Sequence, residues 1–279
     1  MGRTVWFPGH MAKGRRELEE IVPLVDLVIE VRDARAPLST AAPFAEDLTG
    51  KRTRLIVLSH KDLADPKCTD LWLAHFKRLG VSAVALNLRG NIASLRASLL
   101  RHKPSFRELR LAVIGIPNVG KSTLLNALVR RKKAEVGLLP GVTRRVSWYR
   151  GEGFLVLDSP GILDPSSDPF THQLLAWLGC SKVEVIGGYE VLALSLLRFL
   201  KEKNLIGAIR KKWGVDVANG EQEALEAMGR RLGCLGPGGE VDLERAGMSL
   251  LKAFSGGDLG RFTLEMPEES KDEVSGRRR

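Results

Sequence analysis

The sequence predicts an α/β domain built on a mostly parallel sheet, followed by a small all-α domain. Short apolar runs, typical of buried strands, alternate with amphipathic segments between residues 27 and 158, which is the pattern of strand–helix–strand units. A glycine-rich loop directly follows one of these runs, at residues 115–122. After residue 168 the apolar residues recur at helical spacing. We therefore expect two domains, residues 1–168 and residues 169–279.

The predicted elements follow one another at short intervals. Strands are expected at residues 27–31, 55–58, 81–86, 111–114 and 154–157, where the chain is mostly apolar. Helices are expected at residues 12–22, 71–79, 95–99 and 123–130, and in the second domain at 191–200, 225–232 and 243–254. Asp242 precedes the last of these helices and is a suitable N-cap.

Composition and charge narrow the possible partners. The 279 residues are 44% apolar and 27% charged, enough for a core without disulfides or metals. The net charge is +10, and residues 101–150 hold twelve Lys or Arg against two acidic residues, which favours a nucleic-acid partner. Three widely spaced cysteines indicate a reducing compartment. We expect a monomer without a membrane span, in the cytosol or an organelle matrix.

The glycine-rich loop has the pattern Gly-x-x-x-x-Gly-Lys-Ser, from Gly115 to Ser122. A predicted strand precedes it and a predicted helix follows it, which is the context that a phosphate loop requires. Backbone N–H groups surround the phosphates in such a loop, Lys121 adds positive charge, and Ser122 offers its hydroxyl to Mg²⁺. The predicted phosphate-binding residues are Asn118, Val119, Gly120, Lys121, Ser122 and Thr123.

A second motif, Asp158-Ser159-Pro160-Gly161, follows the strand at 154–157. In phosphate-loop enzymes an acidic residue at this position holds Mg²⁺, and a neighbouring glycine senses the γ-phosphate. Between the two motifs lies Thr143, whose hydroxyl is predicted to close over Mg²⁺ when the γ-phosphate is present. The predicted metal ligands are therefore Ser122, Thr143 and Asp158, and Gly161 is a predicted nucleotide contact.

The base-reading motif lies upstream of the phosphate loop. No guanine-reading sequence follows Gly161, but Ser59-His60-Lys61-Asp62 follows the strand at 55–58. The Asp62 carboxylate is expected to accept hydrogen bonds from N1–H and the exocyclic amine of guanine, a pair of donors that adenine lacks. Asn87, after the next strand, is the predicted companion. This motif order is that of a circular permutation, which preserves the sheet because domain termini tolerate relocation.

The motif order resembles that of the circularly permuted GTPases of ribosome assembly, most closely the ribosome biogenesis GTPase A family. Four further segments are similar to that family: Phe7-Pro8-Gly9-His10-Met11-Ala12-Lys13, Asp33-Ala34-Arg35-Ala36-Pro37-Leu38-Ser39, Asp242-Leu243-Glu244-Arg245-Ala246 and Gly260-Arg261-Phe262-Thr263-Leu264-Glu265. The resemblance covers residues 6–267. It implies a phosphate-loop GTPase fold with permuted motif order, and a cytoplasmic or organellar factor that binds ribosomal RNA late in large-subunit assembly and leaves after GTP hydrolysis.

The sequence departs from the family pattern at the guanine site. The family has Asn-Lys-x-Asp, and this chain has Ser59 and His60 in the first two positions. We expect GTP specificity to survive through Asp62, with weaker affinity. The companion motif also departs, because Leu88 and Arg89 replace a small residue and a lysine.

The sequence leaves two candidates for catalysis. Many GTPases orient the attacking water with a glutamine just after the Mg²⁺ motif, but Ile162 stands there and has no polar group. Asn118 is predicted to coordinate K⁺, which would add positive charge near the transition state. The resemblance implies that His10 reaches in from the N-terminal segment to position water.

The second domain carries a basic segment with an aromatic residue, suited to RNA phosphates and base stacking. Its members are Lys201, Lys203, Arg210, Lys211, Lys212 and Trp213, and the alternative is a solvated helix face. Two other classes of function also stay open. A small-molecule kinase would need an acceptor site and an arginine-rich lid. A nucleotide-responsive RNA-binding scaffold would show little turnover, which is compatible with Ile162.

Overall fold

The computed structural model of the chain describes residues 8–50, 52–129, 135–136, 148–159, 161, 163 and 167–267. The side chains of residues 8–12, 48, 135 and 136 lie outside this description. The predicted site residue Thr143 is not among the described residues, and neither is Ile162.

Within the described residues, seven strands form one sheet in the order β3-β2-β1-β4-β7-β6-β5. Their bounds are Leu27–Asp33 (β1), Thr53–Ser59 (β2), Ser82–Ala85 (β3), Leu109–Ile114 (β4), Glu135–Val136 (β5), Trp148–Gly151 (β6) and Phe154–Asp158 (β7). Strands β3, β2, β1, β4 and β7 pair in parallel, whereas β6 and β5 join as antiparallel strands at one edge. The carboxyl ends of the five parallel strands therefore share one edge of the sheet.

Ten α-helices accompany the sheet in the described parts of the chain. Their bounds are Pro8–Ile21 (α1), Ala45–Thr49 (α2), Pro66–Arg78 (α3), Ala93–Leu100 (α4), Lys121–Val129 (α5), Pro169–Trp177 (α6), Tyr189–Glu202 (α7), Gly207–Trp213 (α8), Glu221–Arg231 (α9) and Leu243–Ser255 (α10). No helix in these described parts is both long enough and apolar enough to cross a bilayer.

The central strand β1 is buried along its whole length. Parallel strands covered on both faces are continuously apolar, and β1 interrupts that pattern with Glu30 and Arg32. The two side chains pair with each other, since Arg32 Nε lies 2.7 Å from Glu30 Oε1. Helix α3 packs nearby through Trp72 and Phe76 against Ile56 and Leu58 of β2.

The described residues divide into two compact units. The sheet unit comprises the described parts of 17–115 and 119–160 together with 262–267, and the helical unit comprises the described parts of 8–16, 116–118 and 161–261. Within residues 167–267 the β structure is limited to one isolated bridge between Leu235 and Val241. The predicted α/β fold on a mostly parallel sheet, followed by an all-α region, is confirmed by this arrangement of the described elements. The boundary after residue 168 stays a prediction.

Most predicted elements are found with slightly different ends, and others were missed. Asp242 caps α10 as expected, since its carboxylate accepts a hydrogen bond from Arg245 N at 3.0 Å. Strand β6 was missed because Trp148 and Tyr149 give only two apolar residues before the charged Arg150. Both aromatic residues are nevertheless buried. The helices α2, α6 and α8, of five, nine and seven residues, were also not predicted.

Candidate functional site

The predicted nucleotide motifs meet at one edge of the sheet. The phosphate loop follows β4, the Ser59–Asp62 motif begins at the end of β2, Asn87 follows β3, and Asp158 ends β7. All four strands run in the same direction, so their following loops lie at the same edge. Ligands of open parallel α/β sheets bind at this carboxyl edge.

The phosphate loop is tightly packed, and two glycines make this possible. Gly115 has φ +153°, and a Cβ atom there would lie 2.7 Å from the Val31 carbonyl oxygen. Gly120 has φ +104°, a backbone conformation that side-chain-bearing residues rarely adopt. Helix α5 then begins at Lys121, which is 9% exposed. The loop therefore presents a helix N-terminus and a lysine together, an arrangement that attracts phosphate groups.

Oxygen donors suited to Mg²⁺ flank the phosphate loop. Ser122 is exposed in the first turn of α5. Asp158 is half-buried at the end of β7 and pairs in register with Val113 of the adjacent β4. A hydroxyl and a carboxylate are the hard ligands that Mg²⁺ takes beside nucleotide phosphates, so these residues fit the ion. The third predicted ligand, Thr143, lies outside the described residues.

The guanine loop, residues 59–65, is joined to the phosphate loop by a buried hydroxyl. Ser59 Oγ lies 2.7 Å from the Val119 carbonyl oxygen and 3.0 Å from the Arg32 carbonyl oxygen. The side chain of Ser59 is fully buried, so these contacts are shielded from water and strengthened. Ser59 thus connects the base-reading and phosphate-binding segments, although Asp62 itself is exposed on the turn.

His60 is held at the edge of the site by a buried carboxylate. Its Nδ1 lies 2.9 Å from Asp33 Oδ2 and 3.1 Å from Ser59 Oγ. Its backbone is left-handed, with φ +52°. Asp33 is fully buried and also accepts from Arg35 Nη2 at 2.8 Å. Burial alone would raise the pKa of Asp33, but the Arg35 charge and the hydrogen bonds from His60 and Arg35 outweigh it and hold that pKa well below its usual range.

Asn87 and Leu88 form a turn against the phosphate loop. Asn87 Oδ1 accepts from Arg89 N at 3.0 Å, so this amide oxygen stabilises its own turn. Leu88 is 7% exposed, and its Cδ1 lies 3.1 Å from where a Cβ of Gly120 would stand. The leucine that departs from the family pattern therefore packs against the phosphate loop, a role that the sequence did not predict.

Asn118 lies at the exposed bend of the phosphate loop, with φ +59°. Its Nδ2 donates to the Gly179 carbonyl oxygen at 2.9 Å, and both residues belong to the helical unit. This bond orients the amide, because the nitrogen must face the carbonyl acceptor. The amide oxygen is the chemically suited ligand for K⁺, so the contact is compatible with cation binding.

For the remaining predicted residues, the structure gives the position in the fold but few contacts. His10 lies in the first turn of α1, but its side chain is not described. Gly161 is described outside regular secondary structure, and Thr123 is exposed on α5. The predicted basic segment spans the end of α7 and α8, and two of its lysines are paired: Lys201 with Glu221 at 3.8 Å and Lys212 with Asp258 at 3.0 Å. Arg210 and Lys211 are exposed.

Sequence reasoning missed the part that Asp33 and Arg35 play beside the site. Both were noted only as part of a family-like segment. The available signal was an acidic residue at the end of a buried strand adjacent to the phosphate-loop strand. In a parallel sheet such a residue must lie at the ligand-binding edge.

Comparisons with known proteins identify relatives of this chain. The family of 50S ribosome-binding GTPases matches residues 110–192. Ribosome biogenesis GTPase A of Bacillus cereus is 36% identical over 96% of both chains, and that of Thermotoga maritima is 33% identical over 95% of both. Mitochondrial ribosome-associated GTPase 1 of Bos taurus is 35% identical over 75% of this chain and 70% of its own. The crystal structure of GNP-bound YlqF from T. maritima is similar, with TM-score 0.66 and 28% identity, covering 92% of this chain and 100% of the other.

Proposed function

Because the chain belongs to the ribosome biogenesis GTPase A family, we propose that it binds the precursor of the large ribosomal subunit and couples GTP hydrolysis to a late assembly step. The chain is a GTPase of ribosome assembly. The observation that carries the nucleotide-switch part of this proposal is the joining of two loops at one sheet edge, where Ser59 Oγ lies 2.7 Å from Val119 O. A base-reading loop beside a phosphate loop suits a guanine-nucleotide switch.

Each part of the nucleotide has a proposed partner. Lys121 and the N–H groups of residues 118–123 bind the phosphates, and Asp62 reads guanine with His60 and Asn87 beside it. Ser122 and Asp158 hold Mg²⁺, which neutralises phosphate charge when bound. Thr143 and Gly161 are proposed to respond to the γ-phosphate. The buried position of Lys121 and the oxygen chemistry of Ser122 and Asp158 support these roles.

For hydrolysis we propose that His10 positions the attacking water and that Asn118 holds K⁺. The hydrogen bond from Asn118 Nδ2 to Gly179 O supports the second role, because it fixes the amide plane. His10 stands in the first turn of α1, and its approach to the γ-phosphate is proposed to need the ribosomal particle.

The helical region, residues 169–279 in the proposed domain division, is assigned to ribosomal RNA. Its exposed Arg210 and Lys211 support this assignment, and Trp213 is half-buried beneath the Lys212 ammonium, 5.6 Å from the ring centre. A stacked base and neighbouring phosphates suit such a surface. We further propose a monomer in the bacterial cytoplasm or an organelle matrix, as the bacterial and mitochondrial relatives suggest.

The test is cosedimentation of the full chain with large ribosomal subunits and their precursors in GTP, GDP or a non-hydrolysable GTP analogue. We expect retention with the analogue and release with GDP, and weaker retention as salt rises, because phosphate contacts release counterions. Arg210→Ala/Lys211→Ala should weaken retention. Lys67→Ala/Lys77→Ala removes two exposed positive charges from the sheet unit and is the matched control. Equal retention with every nucleotide would argue for a passive RNA-binding scaffold.

A further inference from the structure

The chain beyond the helical unit returns to the sheet unit through a short segment, residues 262–267, which we call the strap. Its sequence alternates apolar and polar residues: Phe262 and Leu264 are 8% and 9% exposed, whereas Thr263 and Glu265 are half-buried. Such alternation buries one side of an extended segment. The strap is therefore anchored in the sheet unit by two apolar side chains.

Two hydrogen bonds join the beginning of the strap to the guanine loop. Phe262 N donates to the Leu63 carbonyl oxygen at 3.0 Å. Thr263 Oγ1 accepts from Asp65 N at 3.1 Å. Leu63 directly follows Asp62, so the two bonds hold the backbone on the carboxyl side of the proposed base-reading carboxylate.

The other end of the strap is hydrogen-bonded to the turn after β1 and to a core residue of the sheet unit. Leu264 N donates to the Arg35 carbonyl oxygen at 2.7 Å. The Glu265 carboxylate accepts from Leu38 N at 2.8 Å, and the Glu265 carbonyl oxygen accepts from Trp72 Nε1 at 3.0 Å. Trp72 is fully buried in the core. A segment fixed in this way can brace an exposed turn against movement.

Support from the strap matters for the guanine loop because the middle of this loop is exposed. Asp62 and its neighbour Lys61 are exposed on a turn without regular secondary structure. Ordering an exposed turn costs conformational entropy when a ligand binds. Backbone hydrogen bonds that order the turn beforehand reduce that entropy cost. They favour the nucleotide whose base makes the most contacts with the turn.

We propose that the strap is a positioning element for base recognition, in which Thr263 acts through Asp65 N to hold the guanine loop in its base-reading conformation. This inference rests on the proposed function, since it takes Asp62 as the guanine-reading residue. It also assigns a nucleotide role to a segment that follows the helical unit in the chain, six residues after α10.

The test compares GTP with inosine triphosphate, which lacks the exocyclic amine that Asp62 is proposed to bind. Thr263→Val keeps the shape of the side chain and removes the oxygen that accepts from Asp65 N. We expect the preference for GTP over inosine triphosphate to fall about fivefold, the effect of one net hydrogen bond. Thr263→Ser keeps the acceptor and should retain the wild-type preference. Thr53→Val, at the exposed start of β2, is the matched control.

The role of the strap and guanine reading by Asp62 would be overturned by different results. A folded Thr263→Val protein with the full wild-type preference would overturn the role of the strap, as would equal loss in Thr263→Ser. A wild-type protein that binds GTP and inosine triphosphate equally would instead contradict guanine reading by Asp62. Hydrogen exchange needs no variant: the Asp65 amide should be protected in the wild-type protein before nucleotide is added, and fast exchange there would overturn the proposal.

Discussion

The Nδ1 atom of His60 lies 2.9 Å from Oδ2 of Asp33, so a residue of the guanine loop is bound to the end of the neighbouring strand β1. Asp33 in turn binds Arg35, and Ser59 continues the network to Val119 of the phosphate loop. The family's asparagine and lysine are replaced here by Ser59 and His60, but the replacements are well bonded. The departure from the family pattern therefore does not leave the loop unsupported.

Ser59→Ala tests the link between the two loops. Removing the hydroxyl leaves the buried Val119 carbonyl without this donor, so GTP affinity should fall about fivefold, for a net hydrogen bond of about 1 kcal/mol. GTP and inosine triphosphate should lose affinity alike, because both use the phosphate loop. Ser249→Ala removes a comparable hydroxyl from α10 and should leave binding unchanged. Unchanged GTP affinity in Ser59→Ala would show that the link is dispensable.

Asp33→Asn tests the buried ion pair. The variant leaves the Arg35 guanidinium, itself 3% exposed, without its carboxylate, and the free energy of unfolding should fall by about 3 kcal/mol in chemical denaturation. Asp70→Asn on the exposed face of α3 is the control and should change little.

The pairing of Asp33 with Arg35 also makes the stability of the protein depend on pH. Because the folded-state pKa of Asp33 is depressed, its contribution to stability is complete above the ordinary carboxyl range and is lost as pH falls through the folded-state value. The stability of the wild-type protein should therefore decline in acid more steeply than that of Asp33→Asn. Parallel acid profiles for the two proteins would contradict the assigned pairing.

Asp62→Asn tests base reading. The amide replaces a double acceptor with a group that also donates, so preference should shift from GTP towards xanthosine triphosphate, which has a carbonyl in place of the exocyclic amine. Competition binding with both nucleotides measures the shift, and Asp70→Asn again serves as the control. Wild-type protein that binds ATP as well as GTP would refute guanine reading at this loop.

His10→Ala tests the catalytic assignment. GTP affinity should stay nearly constant, while turnover stimulated by the ribosomal particle should fall about 10²-fold, as expected for loss of a positioned catalytic group. Replacing K⁺ with Na⁺ should separately slow the wild-type protein if Asn118 holds the ion. Normal stimulated rates for His10→Ala in K⁺ would remove His10 from the mechanism.

The sequence predicted the parallel sheet, whereas the contacts around the candidate site were found only in the structure. The apolar runs at 55–58, 111–114 and 154–157 predicted the strands that precede the motifs, because strands that alternate with helices form a mostly parallel sheet. The contacts of Leu88, Asp33 and Glu265 were not predictable in the same way. They join segments far apart in the chain, such as Glu265 with Leu38, and no local periodicity encodes such a partner.

GTP turnover by the full chain with and without large ribosomal subunit precursors tests the central claim most directly. Since Ile162 offers no polar group to the attacking water, turnover should be slow alone and should rise by about 10²-fold or more when the precursor supplies the catalytic arrangement. Particles stripped of RNA by nuclease should not stimulate. Turnover that is the same with and without the precursor would contradict a GTPase coupled to large-subunit assembly.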